Sequence, residues 1–470
     1  MAAADPSCGG LLPLLPEREG ARALGDDTGL RLTRGELREA ALSLAARMEP
    51  GEGKRLVLLL APNGAGAVIG LLGALAAGHA VALADPGLDP AKLARLEGAY
   101  RPDFALSPSP EGEAAPGMAL ARREGGAPIR GAASVLLSTS GTTGSAKFVR
   151  LAAEALAANA RQIGAALSIE ESDVGVGHLA PHYSYGLSVV TSHLVAGAAV
   201  WMTSGSLVSP EFWPAVAAAG GTHFPGVPFH YTVLARFGLA AVPPSVRTFT
   251  QAGGALDRRF LAKVADEVSA RGGRFFVMYG QTEAAPRMTT LPAERLAEKP
   301  GSVGPALPGG RLSILDEAGA DLPPGEAGAV AYEGPNVMLG YAETRADLDR
   351  GDEQGGRLLT GDLGFLDEEG YLHLTGRSQR FAKVAGLRLS LDEIERQLEP
   401  PCLVAALEKG ESVIVFHEEG FEEPLKAQAK RLAAEYGVPA ASFRLRALPA
   451  LPLKPSGKVD YARLKAEADV

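Results

Sequence analysis

Cysteine is nearly absent from this chain: Cys8 and Cys402 are the only two among 470 residues. They stand far apart and without metal-ligand spacing, which argues against a disulfide framework and against a thiolate zinc site. Also missing is any dense run of Lys and Arg. With 46 basic against 55 acidic residues the formal net charge is -9, so attraction to phosphate backbones is disfavoured and nucleic acid is not an expected partner. The opening stretch, MAAADPSCGGLLPLLPEREG, has no basic segment and is broken by prolines, which argues against an export signal and for a reducing cytoplasm. Long apolar runs are scarce too. The one candidate, Gly64 to Ala84, carries no formal charge. Its many Gly and Ala residues, His79 within it and the strand-like VLLL before Pro62 predict a buried helix running into a second buried strand, rather than a membrane span.

What is present is ample material for a core. Hydrophobic residues make up 46% of the chain and charged residues 21%, the balance of an ordinary globular protein, and the length calls for more than one globular unit. Strand-length apolar runs at Arg55 to Leu60, Ala133 to Leu137, Ala198 to Met202 and Phe275 to Met278 alternate with Ala/Leu-rich helical stretches. That alternation predicts layered α/β structure with parallel strands. From about Gly301 short strands punctuated by Gly and Pro predict antiparallel hairpins. After Gly376 strand and helix alternate again, with an amphipathic helix over Leu391 to Leu398. The fold class is therefore α/β: a large N-terminal unit over 1–376 whose β-rich part spans about 301–376, a junction at 377–382, and a small α+β unit over 383–470.

The most informative segment is Leu137 to Lys147, LSTSGTTGSAK, which follows an apolar strand. Glycines let backbone wrap closely around an anion, unpaired N–H groups and hydroxyls donate to it, and the lysine adds positive charge. This predicts a phosphate loop. It is not the Walker pattern, because no Gly-Lys-Ser/Thr ending is present.

The segment resembles the signature loop of the adenylate-forming superfamily of acyl-CoA synthetases, peptide-synthetase adenylation domains and luciferases, and further motifs of that family follow in its order. The resemblance implies that Thr139, Ser140, Gly141, Thr142, Thr143, Gly144 and Lys147 hold nucleotide phosphates, with Thr143 also near magnesium. AGGAL, with Gly253, Gly254 and Ala255, is similar to the loop that lies against adenine, although the family's proline before the leucine is missing. YGQTE is similar to the segment in which Tyr279 stacks near adenine, Thr282 touches the α-phosphate and Glu283 holds magnesium, a task that suits a carboxylate. Asp362 in TGD and Arg377 in TGR match ribose contacts. The stretch from Gly376 to Glu395 resembles the hinge and its following loop, with Gln379 in place of the usual aspartate or lysine and with Lys383 acting after rotation. PLKPSGKVD resembles the loop that delivers a catalytic lysine, here Lys458.

By the same resemblance the acyl pocket involves Tyr183, Tyr185, Gly186, Phe229, Gly253 and Gly280. Gly186 stands where amino-acid-activating relatives carry an aspartate, which favours a plain carboxylic acid. GPNVMLGY, Gly334 to Tyr341, is more similar to acyl-CoA synthetases than to peptide-synthetase modules. The implied activity is ATP- and Mg2+-dependent formation of an acyl-adenylate with release of pyrophosphate, then transfer to a thiol. The thiol would belong to coenzyme A or to the phosphopantetheine arm of a free-standing acyl carrier protein, since no appended carrier is expected after Lys458. Two alternatives are an enzyme loading an amino or aryl acid onto a carrier protein, and a catalytically silent nucleotide-binding scaffold. Retention of Lys147, Glu283, Asp362 and Lys458 together argues against the scaffold.

Overall fold

The computed structural model describes residues 11–48, 53–138, 147–377, 380–384, 387–398, 402–410, 412–454 and 458–468. The apolar runs of the first half become the central strands of two large sheets. In the 7-stranded sheet, Leu56–Leu60, Ala80–Ala84, Ala133–Ser138 and Phe104–Pro108 run parallel. The edges are antiparallel, with Met118–Arg122 on one side and Phe148–Ala152 followed by Gly340–Ala342 on the other. Between Leu56–Leu60 and Ala80–Ala84 lies the helix Ala65–Ala76, buried over nearly its whole length. The Gly64 to Ala84 expectation is thus met as a helix and a strand. A side chain on Gly66 would place its Cβ 2.0 Å from the Pro116 carbonyl, so only glycine allows that helix to seat so closely. Among the described residues no helix is long and apolar enough to cross a membrane.

The 8-stranded sheet has the same character. Its parallel centre is formed by Arg22–Asp26, Ala199–Met202, Val174–Gly177, His223–Gly226, Thr248–Gln251 and Arg274–Gly280. Antiparallel Arg31–Thr33 and Arg287–Leu291 close its edges. The helices Ala153–Leu167 and Ser184–Ala196 pack against one another between these layers. Parallel strands must be covered on both faces, which is why they read as unbroken Val, Leu and Phe.

The hairpin expectation also holds. Ser302–Gly304, Leu372–Arg377, Arg357–Leu366, Gly328–Glu333 and Arg311–Leu315 form a 5-stranded antiparallel sheet. One strand of that stretch departs from it. Gly340–Ala342 pairs instead with Phe148–Ala152 in the 7-stranded sheet, because the fully buried Arg150 donates to the carbonyls of Leu339 and Tyr341 and pairs with Glu353 at 2.7 Å. Beyond residue 380, the hairpin Phe381–Val384 with Leu387–Ser390, the helix Leu391–Gln397 and a 3-stranded sheet surround a core of their own.

The core of the 8-stranded sheet contains histidines that must remain uncharged. His193 lies 3% exposed with Nε2 unpartnered, and burial pulls its pKa down to about 3. Both ring nitrogens of His178 are buried without hydrogen-bond partners among the described residues, its ring stacks on Phe224, and burial holds its pKa well below the usual value. In the unfolded chain each histidine takes a proton below about pH 6.5, so below that pH the unfolded state binds more protons than the fold does. Stability should therefore be complete above about pH 6.5 and decline on acidification by up to about 1.4 kcal/mol per pH unit per histidine. Urea unfolding at neutral and mildly acidic pH measures this, and His193→Gln should flatten the decline; coincident transitions at both pH values would contradict it.

Candidate active site

The segment Tyr279 to Glu283 ends a central parallel strand, where side chains lie at the carboxyl edge of an open sheet and loops from neighbouring strands meet. Tyr279 closes the strand Arg274–Gly280, and its hydroxyl donates to Asp362 Oδ2 at 2.5 Å. Asp362 sits on the strand Arg357–Leu366, in register with Arg377 on the adjacent strand. The turn is fastened twice more: Gln281 Nε2 donates to the Thr360 carbonyl, and Thr360 Oγ1 donates to the Val330 carbonyl. Tyr279, Asp362 and the backbone of Arg377 are thereby brought to one place.

The next residues turn to other elements. Thr282 Oγ1 lies 3.2 Å from Ser184 Oγ, at the first turn of the helix Ser184–Ala196. Glu283 Oε1 accepts from the Tyr341 hydroxyl at 2.9 Å, and the Lys147 ammonium lies 3.6 Å from the centre of the Tyr341 ring. Burial, reinforced by the Glu283 charge, pushes the Tyr341 phenol upward, so it stays protonated and donates. The ammonium over the ring is a cation–π contact. One tyrosine thus joins the lysine that ends the hydroxyl-rich segment to the candidate metal-binding carboxylate.

The Thr139 to Gly144 loop, including Ser140, Gly141, Thr142 and Thr143, lies outside the described residues, as does Gln379. The strands that flank the loop are paired from Ser138 and Phe148 onward. Lys383 lies on the strand Phe381–Val384 opposite Arg388, and the side chains of Arg377 and Lys383 fall outside the described set. Lys458 is half-buried, its carbonyl accepting from Lys454 N at 2.7 Å beside a bridge between Leu453 and Val459.

The expected acyl-pocket residues divide. Gly253 has φ +87°, and a Cβ there would fall 2.6 Å from the Tyr183 hydroxyl, so the glycine loop and Tyr183 face one another. Gly254 lies beside Pro228 and its carbonyl accepts from Gln251 Nε2, while Ala255 follows in the same loop. Tyr185 is buried, with its hydroxyl against Thr250 at 2.8 Å from the carbonyl and 2.9 Å from Oγ1. Burial pushes the phenols of both Tyr183 and Tyr185 up to about 12. A Cβ on Gly186 would sit 2.3 Å from the Ala180 carbonyl, so this position packs against main chain. Phe229 is 44% exposed, its ring beside His230. Gly280 leaves room for the Pro286 carbonyl and the Arg287 Cα of the returning strand.

Sequence reasoning did not single out Ser184, Tyr341, Arg150 or Arg287 as site residues. Arg150 offered one usable signal, a charge inside the otherwise apolar strand FVRLA, whereas Arg287, at the start of RMTTL, offered none.

Residues 127–342 match the family model described as AMP-binding enzyme. A probable CoA ligase from Humulus lupulus is 32% identical over 301 residues, covering 63% of this chain and 56% of that protein. An oxalate–CoA ligase from Arabidopsis thaliana is 33% identical, covering 56% of this chain and 52% of that protein. The chain thus spans about half the length of these curated relatives. Among solved structures, o-succinylbenzoate CoA synthetase from Bacillus subtilis, in complex with an acyl-adenylate intermediate, superposes with a TM-score of 0.79 at 24% identity over 98% of both chains. Residues 127–342 are therefore similar to AMP-binding enzymes, and the fold of the chain is that of the superposed synthetase.

Proposed function

We propose that this chain is an ATP-dependent acid–thiol ligase. It activates a carboxylic acid as an acyl-adenylate, then transfers the acyl group to the thiol of coenzyme A or of a carrier protein's phosphopantetheine, in a reducing cytoplasm. The observation that carries the reading is the convergence on one five-residue segment: Tyr279 on Asp362, Thr282 on Ser184, and Glu283 on Tyr341, whose ring meets Lys147.

In the first half-reaction a carboxylate oxygen attacks the α-phosphorus of ATP, a new P–O bond forms, and the bond to the β-phosphate oxygen breaks as pyrophosphate leaves. Two anions must approach, so cations and fixed dipoles are needed where charge develops. Lys147 and the Thr139 to Gly144 loop hold the departing phosphates, Thr282 holds the α-phosphate, and Asp362 with Arg377 holds the ribose. Gly253, Gly254, Ala255 and Tyr279 bound the adenine. Glu283 suits magnesium: it is a carboxylate with one oxygen engaged by Tyr341, and its other oxygen makes no hydrogen bond among the described residues. When bound, that ion neutralises phosphate charge. Lys458 bridges the attacking carboxylate and the phosphate.

In the second half-reaction the thiol sulfur attacks the acyl carbon, the C–O bond to AMP breaks, and the thiol proton is released. We assign this step to a second orientation of a small unit over 383–470, turned about a hinge at 377–382 that includes Gln379, with Lys383 replacing Lys458 beside the large unit over 1–376. Gly186 supports a plain acid as substrate. An aspartate there would meet the Leu179–Ala180 backbone, so the site has no room for the usual counter-ion of an α-amino acid.

Two outcomes test this reading. Lys458→Ala should lose at least about 100-fold in acid-dependent pyrophosphate exchange, yet still consume preformed acyl-adenylate with thiol; retention of exchange, or equal loss of both activities, would remove Lys458 from its role. Tyr341→Phe should leave Glu283 poorly oriented and raise the magnesium concentration needed for half-maximal exchange by about 10-fold, and an unchanged magnesium titration would detach Tyr341 from the metal site.

A further inference from the structure

Arg287 is a buried cation without an anion. It is 2% exposed, its Nε has no hydrogen-bond partner among the described residues, and its guanidinium carbon stands 4.7 Å from the centre of the Tyr185 ring. The charged or titratable groups that act on it are Tyr185 and Tyr183, and both phenols are held neutral by burial. Burial pulls the guanidinium pKa downward, but arginine remains protonated in proteins. Its positive charge is therefore uncompensated by any described carboxylate.

Such a group is costly, and a well-packed Leu or Met would fill the same space at less expense. The fold nevertheless fixes its main chain. Arg287 N donates to Asn159 Oδ1 at 3.1 Å, while its carbonyl accepts from Asn159 Nδ2 at 2.8 Å and Asn336 Nδ2 at 2.9 Å. Both asparagines are buried, and Asn159 is steadied in turn by Gln162. A binding group should be pre-organised by supporting residues in this way.

Its place is equally informative. Arg287 pairs with Gly280 in the strand register, and Gly280 lies at the floor expected of the acyl pocket. Its side chain covers the face of Tyr185, whose neighbour Tyr183 meets the Gly253 loop. Ser184 and Tyr185 are consecutive, yet Ser184 turns to Thr282 while Tyr185 turns to Thr250 and Arg287. Adjacent residues of one helix thus face the reacting end of the site and the cation. From this geometry we infer that the acid activated here is a short dicarboxylate, its reacting carboxylate at Thr282 and its second carboxylate received by the guanidinium of Arg287. The planar fork of arginine matches a carboxylate with two parallel hydrogen bonds.

This inference rests on the ligase reading, and the experiment separates the two. Pyrophosphate exchange is measured with chain-length pairs, succinate against butyrate, glutarate against valerate and adipate against hexanoate, in the wild type, Arg287→Met and Arg287→Lys. In the wild type one dicarboxylate should exceed its monocarboxylate partner in kcat/KM by at least about 100-fold; Arg287→Met should reverse that preference and Arg287→Lys should keep part of it. Thermal denaturation with the same acids gives a readout independent of turnover, and it also shows that each variant is folded. A dicarboxylate that raises the midpoint of the wild type but not of Arg287→Met, with exchange absent for every acid, would sink the ligase reading and keep the anion site. Exchange that favours monocarboxylates, or that falls equally for both classes in a folded Arg287→Met, would overturn the inference while leaving the ligase intact.

Discussion

The candidate site depends on the docking of one three-residue strand, and that docking depends on Arg150. Its guanidinium is wholly buried and accepted on several sides: by the carbonyls of Leu339, Tyr341, Arg350 and Gly351, and by the Glu353 carboxylate. A buried cation is tolerable when its donors are satisfied in this way. The consequence is topological. Chain that would otherwise continue the antiparallel hairpins is drawn across to Phe148–Ala152, and Tyr341 arrives between Lys147 and Glu283. Tyr341 is the common contact of those two side chains, which lie far apart in sequence.

Burial does chemical work elsewhere by deciding which groups may ionise. Tyr341, Tyr183 and Tyr185 are all pushed upward, so each remains a neutral donor or a neutral wall. Near Tyr341 this gives a hydroxyl that can only donate to Glu283. Near Tyr185 it leaves a cation with no phenolate to balance it. The same desolvation that stabilises one contact thus leaves the other dependent on what enters the site.

Much of this was legible in the chain. Leu56–Leu60 and Ala80–Ala84 read as buried strands because parallel strands covered on both faces need unbroken apolar sequence, and the hairpins after Gly301 announced themselves by glycine and proline. The motifs around Tyr279 and Asp362 could be placed because order along the chain constrains them, and the structure joins them by a hydrogen bond. The antiparallel edges of the large sheets were not foreseen, since an edge strand such as Arg31–Thr33 or Gly340–Ala342 is three residues long and its partner is set by distant contacts. Arg150 and Arg287 were missed for a different reason. Arginine is usually a surface residue, and only three-dimensional context shows that one is saturated with acceptors and the other is not.

That contrast bears on substrate choice. Specificity in a closed pocket comes less from apolar fit, which discriminates weakly, than from polar groups that are left unpaired by the wrong ligand. The small residues here shape the site but do not choose its acid: Gly186 and Gly280 are filled by neighbouring backbone, and Gly253 yields to the Tyr183 hydroxyl. Tyr185 has already satisfied its hydroxyl on Thr250. Among the described residues, the Arg287 guanidinium keeps unmet bonding capacity at Nε beside these walls. An acid ending in methyl groups would enclose that charge without answering it, whereas one ending in a carboxylate would complete a pair whose desolvation the fold has already borne on one side. On the inference drawn above, the arginine would act on both counts, attracting one class of acid and penalising the other.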